Sequence, residues 1–109
     1  MKKENKKILY LPLKKEWYNM IESGEKKEEY RELSNYWYKR LMYKPFIDDS
    51  DNTFDNDDVK PYDYVRFSYG YTKRNMTYKC NKIRIGEGKK EWGAPNGLVF
   101  IIELGDKVE

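Results

Sequence analysis

ILYLPLKKEWYNMIESGEKKEEYRELSNYWYKRL, residues 8–41, changes its hydrophobic period three times, and those changes decide the fold. Ile8 to Leu13 is a short apolar run that reads as a strand, with Pro12 marking its end or an edge position. Trp17, Met20 and Ile21 then recur at i, i+3 and i+4, the spacing of one helix face, with Lys14, Lys15, Asn19 and Glu22 around the rest of the wheel. Gly24 stands where a glycine past the last turn ends a helix with positive φ. In residues 27–33 (KEEYREL), Glu29 and Arg31 alternate with Glu28, Tyr30 and Glu32, which predicts a second strand. Ser34 has the chemistry of an N-cap. A second helix is expected over 36–42, with Trp37 and Leu41 inward and Lys39 and Arg40 near its C-terminal end.

Outward from this β-α-β-α core the chain turns to β patterning. Residues 44–60 carry Pro45 and repeated Asp and Asn, with Pro61 just beyond, and predict a long polar loop. Tyr62 to Tyr69 alternates, placing Val65, Phe67 and Tyr69 on one face. Gly70 and Thr72 to Asn75 predict a turn, followed by a strand from Met76 to Ile85 closed by Gly86 and Gly88. A loop containing Trp92, Gly93, Pro95 and Gly97 leads to Leu98 to Ile102, which reads as a central strand. Gly105-Asp106 is expected to turn into a brief last strand over 107–109. The result is an α+β domain, a small mixed β-barrel of five to six strands flanked by two short helices.

Length supports one domain over 1–109, with 1–7 as a basic flexible arm and 47–59 as an acidic loop insertion. The 109 residues are 38% charged and 39% hydrophobic, and mean hydropathy is −1.07. Aromatic residues make up 17%, enough to build a core in so polar a chain. There is no histidine, which excludes Ser-His-Asp and Cys-His catalysis and the HExxH zinc site. The single Cys80 forms no internal disulfide and no Cys-rich zinc site; it reads as a small core residue. No segment has the length of a secretory or membrane-spanning stretch, so the expectation is a cytoplasmic protein with no membrane partner.

Residues 47–59 (IDDSDNTFDNDDV) hold six Asp and no Lys or Arg; setting them aside leaves 22 basic against 13 acidic residues, a net of +9. A basic body attracts phosphate polymers. The acidic loop fails the EF-hand pattern, because its sixth and twelfth positions are Phe54 and Lys60 counted from Asp49, or Asn56 and Tyr62 counted from Asp51. Gly86-Glu87-Gly88-Lys89-Lys90 lacks the spacing of a phosphate loop and reads as a hairpin turn. No metal and no cofactor are expected.

The richest segment is Ser23 to Arg31. Gly24 ends a helix, Lys26 sits in the turn, and Glu29 and Arg31 share one strand face. A carboxylate between two cations can line a cleft, where Arg31 forks onto a phosphate or carbonyl, or it can be a structural ion pair at a barrel mouth.

The same segment resembles the ASCH domain, a branch of the PUA-like superfamily. That family carries a G-x-K-x-x-E-x-R signature after its first helix, matched by Gly24, Lys26, Glu29 and Arg31. Tyr36-Trp37-Tyr38-Lys39-Arg40-Leu41 resembles the Y-W-x-x-R-L that follows in many small, often bacteriophage-encoded members. Val65 to Tyr71, and Trp92-Gly93-Ala94-Pro95 through Glu103-Leu104-Gly105, are similar to later strands of that group. The likeness covers most of the chain outside 1–7 and 47–59. It implies a PUA-like barrel with a cleft at the signature, and RNA as the ligand class. Related ASCH proteins include amidohydrolases acting on N4-acetylcytidine and, in others, ribonucleases. In the amidohydrolase branch the signature region supplies a catalytic lysine, matched by Lys26, and a threonine nucleophile. Glu29 stands in the threonine's place, and a carboxylate does not replace an acyl-accepting hydroxyl.

Two functions follow. In the first, the domain binds RNA or a nucleotide: Gly24, Lys26, Glu29 and Arg31 form the cleft, Tyr36, Tyr69 and Tyr71 offer stacking surfaces, and Arg40, Arg66, Lys73 and Arg74 extend a basic track. In the second, a small hydrolase acts on a modified nucleoside or on RNA, with Lys26 and Glu29 as the acid–base pair. A host-protein partner leaves no trace in the sequence.

Overall fold

The computed structural model describes residues 6–43 and 59–108. Most of the 1–7 arm and nearly all of the 47–59 insertion lie outside those residues. The elements run β1 (Ile8–Leu13), α1 (Lys15–Glu22), β2 (Glu28–Arg31), α2 (Asn35–Leu41), β3 (Tyr64–Tyr69), β4 (Asn75–Glu87) and β5 (Leu98–Lys107), with a 3-10 turn at Lys90–Trp92.

These five strands form one mixed sheet in the order β1-β3-β4-β5-β2. The β1–β3 pair is parallel; its register sets Leu9 beside Val65 and Leu11 beside Phe67. The β2–β5, β3–β4 and β4–β5 pairs are antiparallel. The fold is therefore α+β, with a curled, barrel-like sheet and two helices. The first and second strands of the sequence become its two edges. Pro12 sits on one of them, where its missing N–H costs no ladder bond.

The inner sheet face and the helices enclose the main core. Leu41, Val65, Phe67, Phe100 and Ile102 are fully buried there, and Leu11, Tyr18 and Ile21 are 1% exposed. Each such side chain contributes about 1.5–3 kcal/mol by leaving water. Over β2 and β5 the outer face is covered too: Tyr30, Val99 and Ile101 pack there with Ala94 and Trp92 of the 88–97 loop.

Local signals position the helices. Gly24 takes φ 89° and turns the chain out of α1, after which the Lys26 N–H donates to the Met20 carbonyl at 3.0 Å. The Ser34 hydroxyl accepts from the Trp37 N–H at 3.4 Å and caps α2. Each helix buries part of the expected face: Ile21 and Leu41 are buried as expected, while Tyr18 and Tyr38 take the inward places read for Trp17 and Trp37. Tyr18 and Ile21 are buried in α1, while Trp17 and Met20 are half-buried. In α2 the buried pair is Tyr38 and Leu41, and Trp37 is half-buried. With several aromatics on each wheel, apolar spacing alone does not separate the core face from the rim.

Three β expectations are corrected. β5 runs through Gly105-Asp106 without turning, because Gly105 lets the strand pass Asn81 at an irregularity in the β4 pairing. β4 continues to Glu87 instead of closing at Gly86. The hairpin turn read at Gly86 to Lys90 does not form; the connection to β5 is the expected loop through Trp92, Gly93, Pro95 and Gly97, with the 3-10 turn at its start. Lys7, expected in the flexible arm, is tied to the sheet: its N–H donates to the Asp63 carboxylate at 2.8 Å, and its carbonyl accepts from Asp63 and Tyr64.

Candidate functional site

The turn after α1 and the alternation of β2 bring Lys26, Glu29 and Arg31 into one cluster. Register carries Glu29 and Arg31 onto the inner face, opposite Ile102 and Phe100. Lys26 Nζ lies 2.9 Å from Glu29 Oε1, and Arg31 Nη1 pairs with Glu29 Oε2. One carboxylate thus holds two cations, one on each oxygen.

Lys26 is sealed in. Its residue is 2% exposed, its ammonium donates to the Trp92 carbonyl, and it lies 5.2 Å and 4.7 Å from the ring centres of Trp17 and Tyr30. Burial pushes its pKa below the usual lysine value of 10.5, and the Glu29 charge opposes that shift. Tyr30 is held in turn: its hydroxyl donates to Glu28 at 2.8 Å and accepts from the Lys89 N–H at 3.0 Å. Burial raises its pKa.

Arg31 faces outward from the cluster. Nη1 also donates to its neighbour's carbonyl at Tyr30 (2.7 Å), and Nη2 donates to Pro12 at 3.2 Å. Its guanidinium lies 5.4 Å from the Trp37 ring centre. From there a ladder climbs α2. Trp37 meets Tyr36 edge-to-face at 4.8 Å, and Arg40 stacks 4.5 Å over Tyr36. Tyr36 is 55% exposed. A cation, two rings and a second cation follow one another from the buried carboxylate to the surface, an arrangement of cation–π and ring contacts.

The other expected residues fall elsewhere. Tyr69 packs edge-on to Tyr18 at 5.1 Å, and Arg74 lies over both rings while pairing with Glu22 at 2.9 Å. Arg66 lies on the outer face of β3, and Tyr71 stands in the turn after that strand, bordering the same depression. Lys73 is exposed in the β3–β4 turn. Gly24, Lys26, Glu29, Arg31, Tyr36 and Arg40 therefore form one site, and the remaining five do not join it.

The cage around Lys26 has no counterpart in the sequence pattern. Trp92 is 66 positions away and contributes a backbone carbonyl, which no side-chain pattern signals. Helical spacing assigns Trp17 and Trp37 to the core; Trp37 packs against its edge, and both also offer a ring to a cation, which the spacing does not signal. Among the described residues no cluster of His, Cys, Asp or Glu is fit to hold a metal ion, and no helix is long and apolar enough to cross a membrane. The chain matches no family model, no curated protein and no solved structure.

Proposed function

We propose that the chain is an ASCH-like, PUA-like domain that binds RNA through the surface on which Arg31, Trp37, Tyr36 and Arg40 stack. The observation that carries this reading is the exposed upper half of the ladder. Tyr36 presents a ring to solvent beneath Arg40, which suits an unpaired base and its phosphate together. The Lys26–Glu29–Arg31 cluster serves as the anchor that orients Arg31, and Lys26 itself is too enclosed to meet a ligand. The convergence of the four signature positions and the barrel-like α+β architecture support the family assignment.

Fluorescence anisotropy with a labelled single-stranded RNA tests the reading. Tyr36→Ala and Arg40→Ala are the decisive variants, because both residues are exposed and their removal spares the core. Each is expected to weaken binding several-fold with an unchanged circular dichroism spectrum. Wild-type affinity in the double variant removes the ladder from the interface.

The hydrolase reading has one observation on its side, a Lys26 pKa lowered by burial beside a carboxylate, and it requires the enclosed ammonium to open to substrate. Turnover of a nucleoside or RNA panel that disappears in Lys26→Ala is its signature. Equal turnover in that variant removes it.

A further inference from the structure

The end of α1 and the turn after it face β4 and the tail of β5 across a pocket of about 390 Å³. The pocket lies where the pairing of those two strands slips. Tyr78 stands opposite Lys107, Cys80 opposite Leu104 and Lys82 opposite Glu103, so Asn81 has no residue across from it and Gly105 and Asp106 together face Lys79. Irregularities of this kind re-aim side chains at the rim of a curled sheet. Ile21, Tyr78 and Leu104 form an apolar floor, the first two buried and Leu104 half-buried. The Tyr78 hydroxyl donates to the Ile21 carbonyl at 3.1 Å, which commits its proton inside the fold. Lys27, Asn81, Asp106 and Lys107 make an exposed rim. Gly24 borders the opening, and the place a Cβ would take there is empty. Lys26 also borders it, but its ammonium is held by Glu29. The charges left to a ligand are two lysines and one aspartate.

We propose that this pocket takes a single nucleotide whose base carries an exocyclic amino group. The base lies on the apolar floor, its amino group donates to the Asp106 carboxylate, and its phosphate sits between Lys27 and Lys107. The lining suits that ligand in both charge and chemistry: a net single positive charge answers the phosphate, and a carboxylate accepts from a base amino group. An apolar floor with a few polar groups at its edge is the usual build of a small-ligand site, and the volume falls within the roughly 300–1,000 Å³ of such sites. Glu29, Arg31 and the residues of the ladder do not line the pocket. The site therefore stands apart from α2, and it rests on the RNA reading only for the class of ligand. A free nucleotide and a nucleotide within an RNA chain present the same groups to it.

Titration of the isotopically labelled wild-type chain with adenosine monophosphate and with inosine monophosphate, followed by amide NMR shifts, tests the proposal, because the two differ at the amino group. Shifts at Lys27, Asn81, Gly105 and Asp106 are expected, with the adenosine form bound about ten-fold or more tighter than the inosine form. Asp106→Ala is expected to remove that preference with the spectrum of a folded chain, and Lys27→Ala/Lys107→Ala to weaken both nucleotides. Equal affinity for the two nucleotides, shifts confined to Tyr36 and Arg40, or no shift at millimolar nucleotide overturns the pocket. Anisotropy with a labelled oligoadenylate separates the two sources. Binding weakened by Asp106→Ala assigns the pocket to a nucleotide within RNA, and unchanged binding beside the expected shifts assigns it to a free nucleotide. RNA binding that responds to Arg40→Ala while no nucleotide enters the pocket overturns this site and leaves the ladder standing. A nucleotide in the pocket of a chain that binds no RNA upholds this site and removes the ladder.

Discussion

Arg31 on one edge strand donates through Nη2 to the Pro12 carbonyl on the other edge, at 3.2 Å. β1 and β2 are the two ends of the sheet order, so one side chain spans the gap that a barrel would close with a ladder. The same guanidinium neutralises Glu29 and faces Trp37. Structure and candidate function therefore meet in one residue. Arg31→Met is expected to lower stability by roughly 1.5–3 kcal/mol, the range for a hydrogen bond to a charged group. Chemical denaturation of the purified variant measures it, and an unchanged midpoint means that the seam adds nothing to stability.

The triad predicts an order of damage. Removing Glu29 leaves the buried Lys26 and the half-buried Arg31 without their carboxylate, whereas removing Lys26 leaves Glu29 still paired with Arg31. Glu29→Met is expected to cost about 3–5 kcal/mol, as for breaking a buried pair, and Lys26→Met clearly less. Denaturant titrations of the two variants decide the order. Equal losses contradict the shared-carboxylate arrangement.

Two glycines permit close approach with unequal consequences. A Cβ at Gly88 meets Tyr30 Cε1 at 2.5 Å and Ala94 Cβ at 2.6 Å, both within the packed outer cluster. At Gly105 the obstacle is Asn81 Oδ1 at 2.4 Å, the tip of an exposed side chain that can swing away. Gly88→Ala is expected to destabilise by about 1–3 kcal/mol, the usual cost of overpacking, and Gly105→Ala by much less. Thermal unfolding of both variants checks the contrast.

Cys80 gives a prediction in pH. Burial, with the Asp63 charge adding to it, pushes its thiol up to about 11 from 9.0. The folded chain keeps this proton where the unfolded chain has lost it, so this group's contribution to stability is present below pH 9 and is lost as pH rises toward 11. Cys80→Ala is expected to flatten the stability profile across that window. Reaction with a disulfide reagent at pH 8 is expected to be slow in the folded chain and fast in denaturant. Rapid labelling of the folded protein at pH 8 contradicts the burial of the thiol.

Much of the fold is legible in the sequence because its signals are local. Gly24 ends α1, Ser34 begins α2, and alternation in β2 puts Glu29 beside Arg31. What escapes the sequence depends on partners far along the chain. Gly86 and Gly105 read as turn residues, yet each lies within a strand, since a missing side chain serves close packing as readily as a bend. Trp17 and Trp37 read as core, and only the folded arrangement sets Lys26 and Arg31 against their rings. For the site, spacing gathers the triad but does not reveal that it is enclosed. That enclosure moves the candidate ligand surface from Lys26 to Tyr36 and Arg40.

The most direct test of the central proposal is the salt dependence of binding between the wild-type chain and a labelled single-stranded RNA. Recognition through the ladder predicts micromolar or tighter affinity at low salt, falling linearly on a log–log plot as paired phosphates release counterions. It also predicts a shallower slope for Arg40→Ala, by about 0.7 for the single phosphate pairing that the variant removes. Absence of binding at low salt, or an affinity indifferent to salt and to Arg40, contradicts it.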